Sequence, residues 1–213
     1  MLRPRLSRRD LFEKCLASGA LIAASPALAV RAFAAHEEAR AAADRRPTPH
    51  NELGPFYRRN APANAALAPA GEPGLPLEVQ GLVLDTRGEA LPGALVEVWH
   101  ADPKGVYDLD GYRFRASLPA REKGGYSFRS VMPGHYPDRV AQHVHFRVSA
   151  PSHKTLVTQL YFATDPAFEG DPDRTYKKDP VLKSRELIRP VTVSEVPGAF
   201  LARVAFDVCL EPA

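Results

Sequence analysis

From Leu77 onward, apolar residues recur at every second position, in short runs separated by glycine and proline. Leu77, Val79, Gly81 and Val83 form the first run. Ala94, Val96 and Val98 alternate with Leu95, Glu97 and Trp99 in the second. A period of two is the period of a strand, whose successive side chains face opposite ways. Further strands are predicted over 125–131, 143–148, 156–162 and 200–210. Turns are predicted at Asp85-Thr86-Arg87-Gly88 and Pro103-Lys104-Gly105, where glycine and proline cluster. Residues 51–74 read as loop, and Asp165 to Arg185 as a long polar excursion without a period. No helix of convincing length is predicted after residue 50. This pattern predicts an all-β fold, an antiparallel β-sandwich with long loops.

The N-terminal stretch follows a different pattern. Ser7-Arg8-Arg9-Asp10-Leu11-Phe12 is a twin-arginine sequence, followed by an apolar run from Cys15 to Val30 and two candidate cleavage sites, Ala32-Phe33-Ala34 and Ala27-Leu28-Ala29. The apolar run is short and broken by Ser18, Gly19, Ser25 and Pro26, which argues against a membrane span. Residues 1–35 are therefore expected to be a twin-arginine export signal, residues 36–74 an N-terminal lead and loop, and residues 75–213 the β-sandwich domain. The expected location is periplasmic or extracellular, with no stable membrane insertion once the signal is removed.

Removing that segment changes the electrostatic picture. It holds six basic and two acidic residues, so its net +4 exceeds the +3 of the whole chain and leaves the remainder at −1. The basic character belongs to the signal, and nothing remains to favour nucleic acid or an anionic surface as a partner. Of the two cysteines, Cys15 lies in the signal and Cys209 stands alone, so no internal disulfide is expected.

The candidate chemistry gathers in Pro133 to Phe146. His143 and His145 fall on one face of a predicted strand, with Cα atoms roughly 7 Å apart. Two imidazoles so placed can reach one ion, and histidine is the commonest protein metal ligand. A pair of partly exposed histidines without a role is the plain alternative. Residues 146–152 contain no acid, which weakens any site built on two histidines and a carboxylate. The nearest candidate for a third ligand is Tyr136.

Five stretches in order resemble the intradiol ring-cleavage dioxygenases, whose familiar members are protocatechuate 3,4-dioxygenase and catechol 1,2-dioxygenase. They are Glu97-Val98-Trp99-His100-Ala101-Asp102-Pro103-Lys104-Gly105-Val106-Tyr107, Gly125-Tyr126-Ser127-Phe128, Pro133-Gly134-His135-Tyr136-Pro137, His143-Val144-His145-Phe146 and Thr158-Gln159-Leu160-Tyr161-Phe162. The resemblance implies a ferric ion held by Tyr107, Tyr136, His143 and His145, with Tyr136 as the tyrosinate that leaves the metal and takes a substrate proton. It implies catalytic roles for Arg139 and Gln159, and a substrate pocket lined by Pro55 and Phe56. Arg139 stands four residues before His143, where the family commonly has its arginine three before, so Gln142 competes for the same place. The implied reaction opens a catechol-type ring with O2, between its two hydroxyl-bearing carbons, to a muconate-type dicarboxylic acid. A homo-oligomer is compatible with this reading.

Two rival readings have distinct requirements. A prealbumin-like binding module, suggested by Gly81 to Asp85 and Pro92-Gly93-Ala94, has no use for two tyrosines and two histidines in this order. A zinc hydrolase built on the same histidines needs a further acid or histidine close by. His100, His135 and His153 are expected not to be ligands.

Overall fold

A computed structural model describes residues 45–213 apart from Asp138. The expected export signal lies outside the described residues. A compact unit runs from Ala43 to Ala213, and residues 45–74 are part of it. Its strands are β1 (Pro76–Asp85), β2 (Leu95–Trp99), β3 (Arg115–Pro119), β4 (Gly125–Val131), β5 (His143–Ser149), β6 (Leu156–Phe162), β7 (Ile188–Arg189), β8 (Thr192–Val196), β9 (Ala199–Ala205) and β10 (Val208–Leu210).

They form two sheets. In the first, β1 pairs with β4, β9 and β10, and β9 pairs with β8. The second runs β3-β2-β5-β6-β7. Alternating apolar positions from both sheets meet in one core: Leu77, Val79, Tyr126, Phe128 and Val204 from the first, Val96, Val98, Val144, Phe146 and Leu160 from the second. Phe146 is the hub, its ring centre 6.0 Å from that of Tyr126, 6.2 Å from Phe128 and 5.1 Å from Phe206. Each such side chain, once fully buried, contributes about 1.5–3 kcal/mol.

The all-β expectation holds, but the sheets are mixed, which corrects the antiparallel one. β1 runs parallel to β9 and β10, and β6 parallel to β7. Parallel neighbours need a long connection, and the polar excursion after β6 provides one. It travels through short turns, Pro166–Phe168, Pro172–Thr175, Tyr176–Lys178 and Arg185–Leu187, and returns the chain beside β6. Strands β3, β7 and β8 were absent from the sequence expectation. β7 is two residues long, and β8 is exposed or half-buried throughout, so no buried alternation marks either.

Gly81 shows how tightly β1 is enclosed. A Cβ there would lie 1.9 Å from the carbonyl oxygen of Phe206, the oxygen that accepts the buried Tyr126 hydroxyl. Gly81→Ala is expected to lower stability by about 3 kcal/mol through this overpacking. Urea unfolding measures it, and a loss below about 0.5 kcal/mol would show that the chain can move aside.

The register of the second sheet is what places the chemistry. Arg115 pairs with Trp99, Trp99 with His145, and His145 with Gln159, while His143 pairs with Tyr161. Directly paired residues share a face. One face of the sheet therefore carries Val96, Val98, Val144 and Phe146 into the core, and the other carries a row of polar and aromatic groups. Residues 48–57 cross that second face. They are tied down by main-chain bonds from Thr48 N to Cys209 O and from Asn51 N to Val157 O, at 3.0 and 2.8 Å.

Candidate metal centre

Both histidines are almost fully buried, His143 at 3% and His145 at 1% exposure, with ring centres 4.8 Å apart. Tyr107 comes from the loop after β2, past the turn closed by Gly105 N on Asp102 O at 3.0 Å. Its ring lies edge-on to Tyr136 at 5.7 Å and tilted to His145 at 6.2 Å. Tyr136 sits at the tight turn before β5, where Arg139 N bonds Tyr136 O at 2.9 Å. Its hydroxyl stands 3.2 Å from His143 Nε2. The structure thus brings the four sequence-predicted donors into one cluster.

The hydrogen bonds around the cluster are incomplete in an informative way. His143 Nδ1 has the Ala141 carbonyl at 2.8 Å, which leaves Nε2 to face Tyr136. Neither ring nitrogen of His145 makes a well-formed hydrogen bond, nor does the buried Tyr107 hydroxyl, although the Glu52 main chain and the Tyr136 phenol lie close by. Buried polar atoms of native proteins are nearly always satisfied, so the Tyr107 hydroxyl and one nitrogen of the neighbouring His145 ring, orphaned beside Tyr136 and His143, call for a ligand. Burial first, then Arg139, holds the His143 imidazole down to about 3. Burial, then His143 and Arg139, holds His145 well below its usual range. Both rings are therefore neutral at neutral pH, the form that binds metal. Burial and the neighbouring Tyr136 phenol push Tyr107 upward, so its ionised form needs a cation beside it.

Two phenol oxygens and two imidazoles suit a hard, highly charged transition-metal ion, because two anionic oxygens offset its charge. No group of three or more His, Cys, Asp or Glu residues stands together among the described residues. Among the described residues, no acid or further histidine joins the pair as the third ligand a zinc hydrolase requires. A passive module has no reason to bury four such donors facing one another.

Arg139 reaches the cluster despite its shifted position. At 8% exposure it places Nη1 3.3 Å from His143 Nε2 and donates through Nη2 to Gln159 Oε1 at 2.9 Å and to Tyr161 Oη at 2.7 Å. Its Nε donates to Asp179 Oδ2 at 3.2 Å. Gln142 turns elsewhere. Its amide N–H bonds Asp165 Oδ2 at 2.6 Å and its side chain bonds the Pro133 carbonyl at 2.7 Å. Phe56 stacks on Tyr107 at 4.1 Å and meets Tyr136 edge-on at 6.4 Å, while Pro55 stays exposed on the turn before it.

Sequence reasoning missed several neighbours as site residues. Trp99 lies parallel to the His145 ring, 4.9 Å away at 6°. The Tyr161 hydroxyl donates to Gln159 Oε1 at 2.7 Å and accepts from Asn51 Nδ2 at 3.3 Å. Tyr161 was legible, being two residues beyond Gln159 on the same strand face. Asp179 was not, because nothing in the excursion marks it. The remaining histidines have other partners: His100 contacts Ala101 O and Ser130 Oγ at 2.7 Å each, and His135 contacts Asp165 Oδ1 at 2.8 Å.

The fold and cluster define a β-protein with a cluster of two tyrosines and two histidines on the outer face of one sheet. Comparison with known proteins agrees. A family model described as Dioxygenase matches residues 53–212, and the chain belongs to that family, the intradiol ring-cleavage dioxygenases. A hydroxyquinol 1,2-dioxygenase of Nocardioides simplex is 33% identical over 76% of this chain. A chlorocatechol 1,2-dioxygenase of Rhodococcus opacus is 30% identical over 74% of this chain and 70% of its own length. The chain spans 64% of the length of the Nocardioides protein. Among solved structures, the dioxygenase domain of a dioxygenase carbohydrate-binding protein fusion from Streptomyces sp. SirexAA-E superposes with a TM-score of 0.68 at 32% identity, covering 79% of this chain and all of that one.

Proposed function

We propose that the protein is a non-haem Fe(III)-dependent intradiol dioxygenase that cleaves catechol-type diols with O2 to muconate-type dicarboxylic acids. The observation that carries this reading is the convergence of Tyr107, Tyr136, His143 and His145 with three of their polar atoms lacking a well-formed hydrogen bond. These four residues would hold the ion. Bound there, ferric iron would draw electron density from a chelated catecholate and so let the ring carbon meet O2.

The protein's own residues supply position and charge. Tyr136 is the less buried tyrosine, and its Oη is the atom suited to accept a hydroxyl proton from the incoming diol. Arg139 stands ready to stabilise negative charge on the ring, its guanidinium held on three sides by Asp179, Gln159 and Tyr161. Phe56, stacked on Tyr107, offers an apolar wall to an aromatic ring. Residues 48–57 lie over the cluster and exclude water. The names of the relatives favour a simple catechol or a hydroxyquinol as substrate.

The test is product analysis with catechol and hydroxyquinol in labelled O2. Both oxygen atoms of one O2 should enter a ring-opened diacid, with no added reductant. A yellow semialdehyde would show cleavage outside the diol and end the intradiol reading.

The same proposal includes export. Arg8-Arg9 and the Ala32-Phe33-Ala34 site support the twin-arginine route. Changing both arginines to lysine should leave a folded precursor in the cytoplasm, and unaltered export of that variant would refute it.

A further inference from the structure

One buried cation beside the cluster lacks a dedicated acid. Arg115, the first residue of β3, is 3% exposed. Its Nη1 donates to the Phe56 carbonyl at 2.5 Å and its Nη2 to the Asp108 carbonyl at 2.9 Å, while Nε is buried with no partner. Both bonds are to neutral oxygens. The Asp108 carboxylate is nearby but engaged by the backbone N–H groups of Asp110, Gly111 and Arg113, at 3.1, 2.8 and 2.9 Å. Arg58 adds a like charge that opposes Arg115. A guanidinium buried on these terms is costly unless an anion faces it.

The group it does face is the Tyr107 ring, whose centre lies 6.0 Å from the guanidinium carbon. That ring is neutral as a phenol and anionic as a metal-bound phenolate. We propose that Arg115 is the fixed counter-charge of the Tyr107 phenolate, setting how strongly that oxygen donates to the metal. The inference rests on the ferric dioxygenase reading above. A cation beside the phenolate lowers the energy of its π electrons. Charge transfer from Tyr107 to iron then needs more energy, and the ionised phenol is stabilised without a second proton acceptor. By bonding two carbonyls, the same side chain also ties the Phe56 turn to the loop that carries Tyr107. Charge and tie are separable by mutation.

The experiment compares the iron-loaded wild type with Arg115→Met, Arg115→Gln and Arg115→Lys. It records the visible phenolate-to-iron band, ferric affinity by chelator competition, and the melting temperature. Both neutral variants should move the band to longer wavelength, while ferric affinity should stay within about tenfold of wild type, because the charge that stabilises the phenolate also repels the ion. Lysine keeps the charge and loses the double carbonyl tie, so it should keep the band near its wild-type position while the melting temperature falls. Methionine fills a similar volume without a polar group, and glutamine retains a donor, so failure of one to fold leaves the other to decide. Neutral variants with an unmoved band would overturn the proposal. So would a lysine variant shifted as far as the neutral ones, since the tie alone would then explain the change. A wild type that binds iron without any phenolate band would instead overturn the functional reading on which this rests.

Discussion

His145→Ala is expected to yield a colourless protein that no longer retains iron yet folds as stably as the metal-free wild type. Two observations give this unusual combination. The ring is clamped in place, parallel to Trp99 at 4.9 Å, with a Cβ on Gly54 leaving only 3.1 Å to its Cε1. Even so, neither of its nitrogens makes a well-formed hydrogen bond to the protein. In the metal-free state each buried unpartnered nitrogen costs about 1–3 kcal/mol. Removing them offsets the cavity left behind, a term of about 2–5 kcal/mol for a large side chain. The metal-free variant should therefore stay within about 1–2 kcal/mol of the wild type, while iron affinity collapses for want of one ligand in four. Chemical denaturation with and without iron checks both halves. A variant that keeps iron with an unaltered spectrum would remove His145 from the ligand set. A metal-free variant badly destabilised would mark the ring as ordinary core.

The second large effect is expected at Arg139. Arg139→Ala should retain iron and its colour but lose about 10²–10³-fold in turnover, the usual cost of removing a group that stabilises transition-state charge. Asp179 makes a complementary test, because it holds the guanidinium from a distant segment and also accepts Ala141 N at 3.1 Å. Both partners of this ion pair are buried, at 8% and 0% side-chain exposure. Asp179→Ala leaves a buried charge unpaired and should cost about 3–5 kcal/mol of stability. Steady-state rates on iron-replete protein, with thermal melts alongside, separate the two outcomes. Wild-type turnover in Arg139→Ala would end its catalytic assignment.

What the sequence could show depended on which property was local. Alternation revealed most of the strands and the shared direction of His143 and His145, because a strand's two faces are written in its own residues. Pairing direction is a property of two strands and the path between them, so the parallel neighbours of β1 and β6 left no trace in the alternation. The same distinction runs through the site. Tyr107, Tyr136, Arg139 and Gln159 sit in compact motifs, whereas Asn51, Asp179 and Arg115 reach the cluster through tertiary contacts alone. The sequence favoured Arg139 with Gln142 as a competitor for its place, and the Asp165 and Pro133 contacts turn Gln142 away.

The strap formed by residues 48–57 has a consequence for how the molecule assembles. Its anchors are remote in the chain: Asn51 reaches Tyr161 across 110 positions, and Thr48 Oγ1 accepts from Cys209 N across 161. This segment leaves the ribosome before any strand of the unit, yet it has no surface to settle on until β5, β6 and β10 have been made. Contacts of such long range close late, because the intervening chain must be ordered first. The aromatic wall carried by Phe56 is therefore the last side of the site to form. Until it does, the face of the sheet that carries the histidine pair is without its cover.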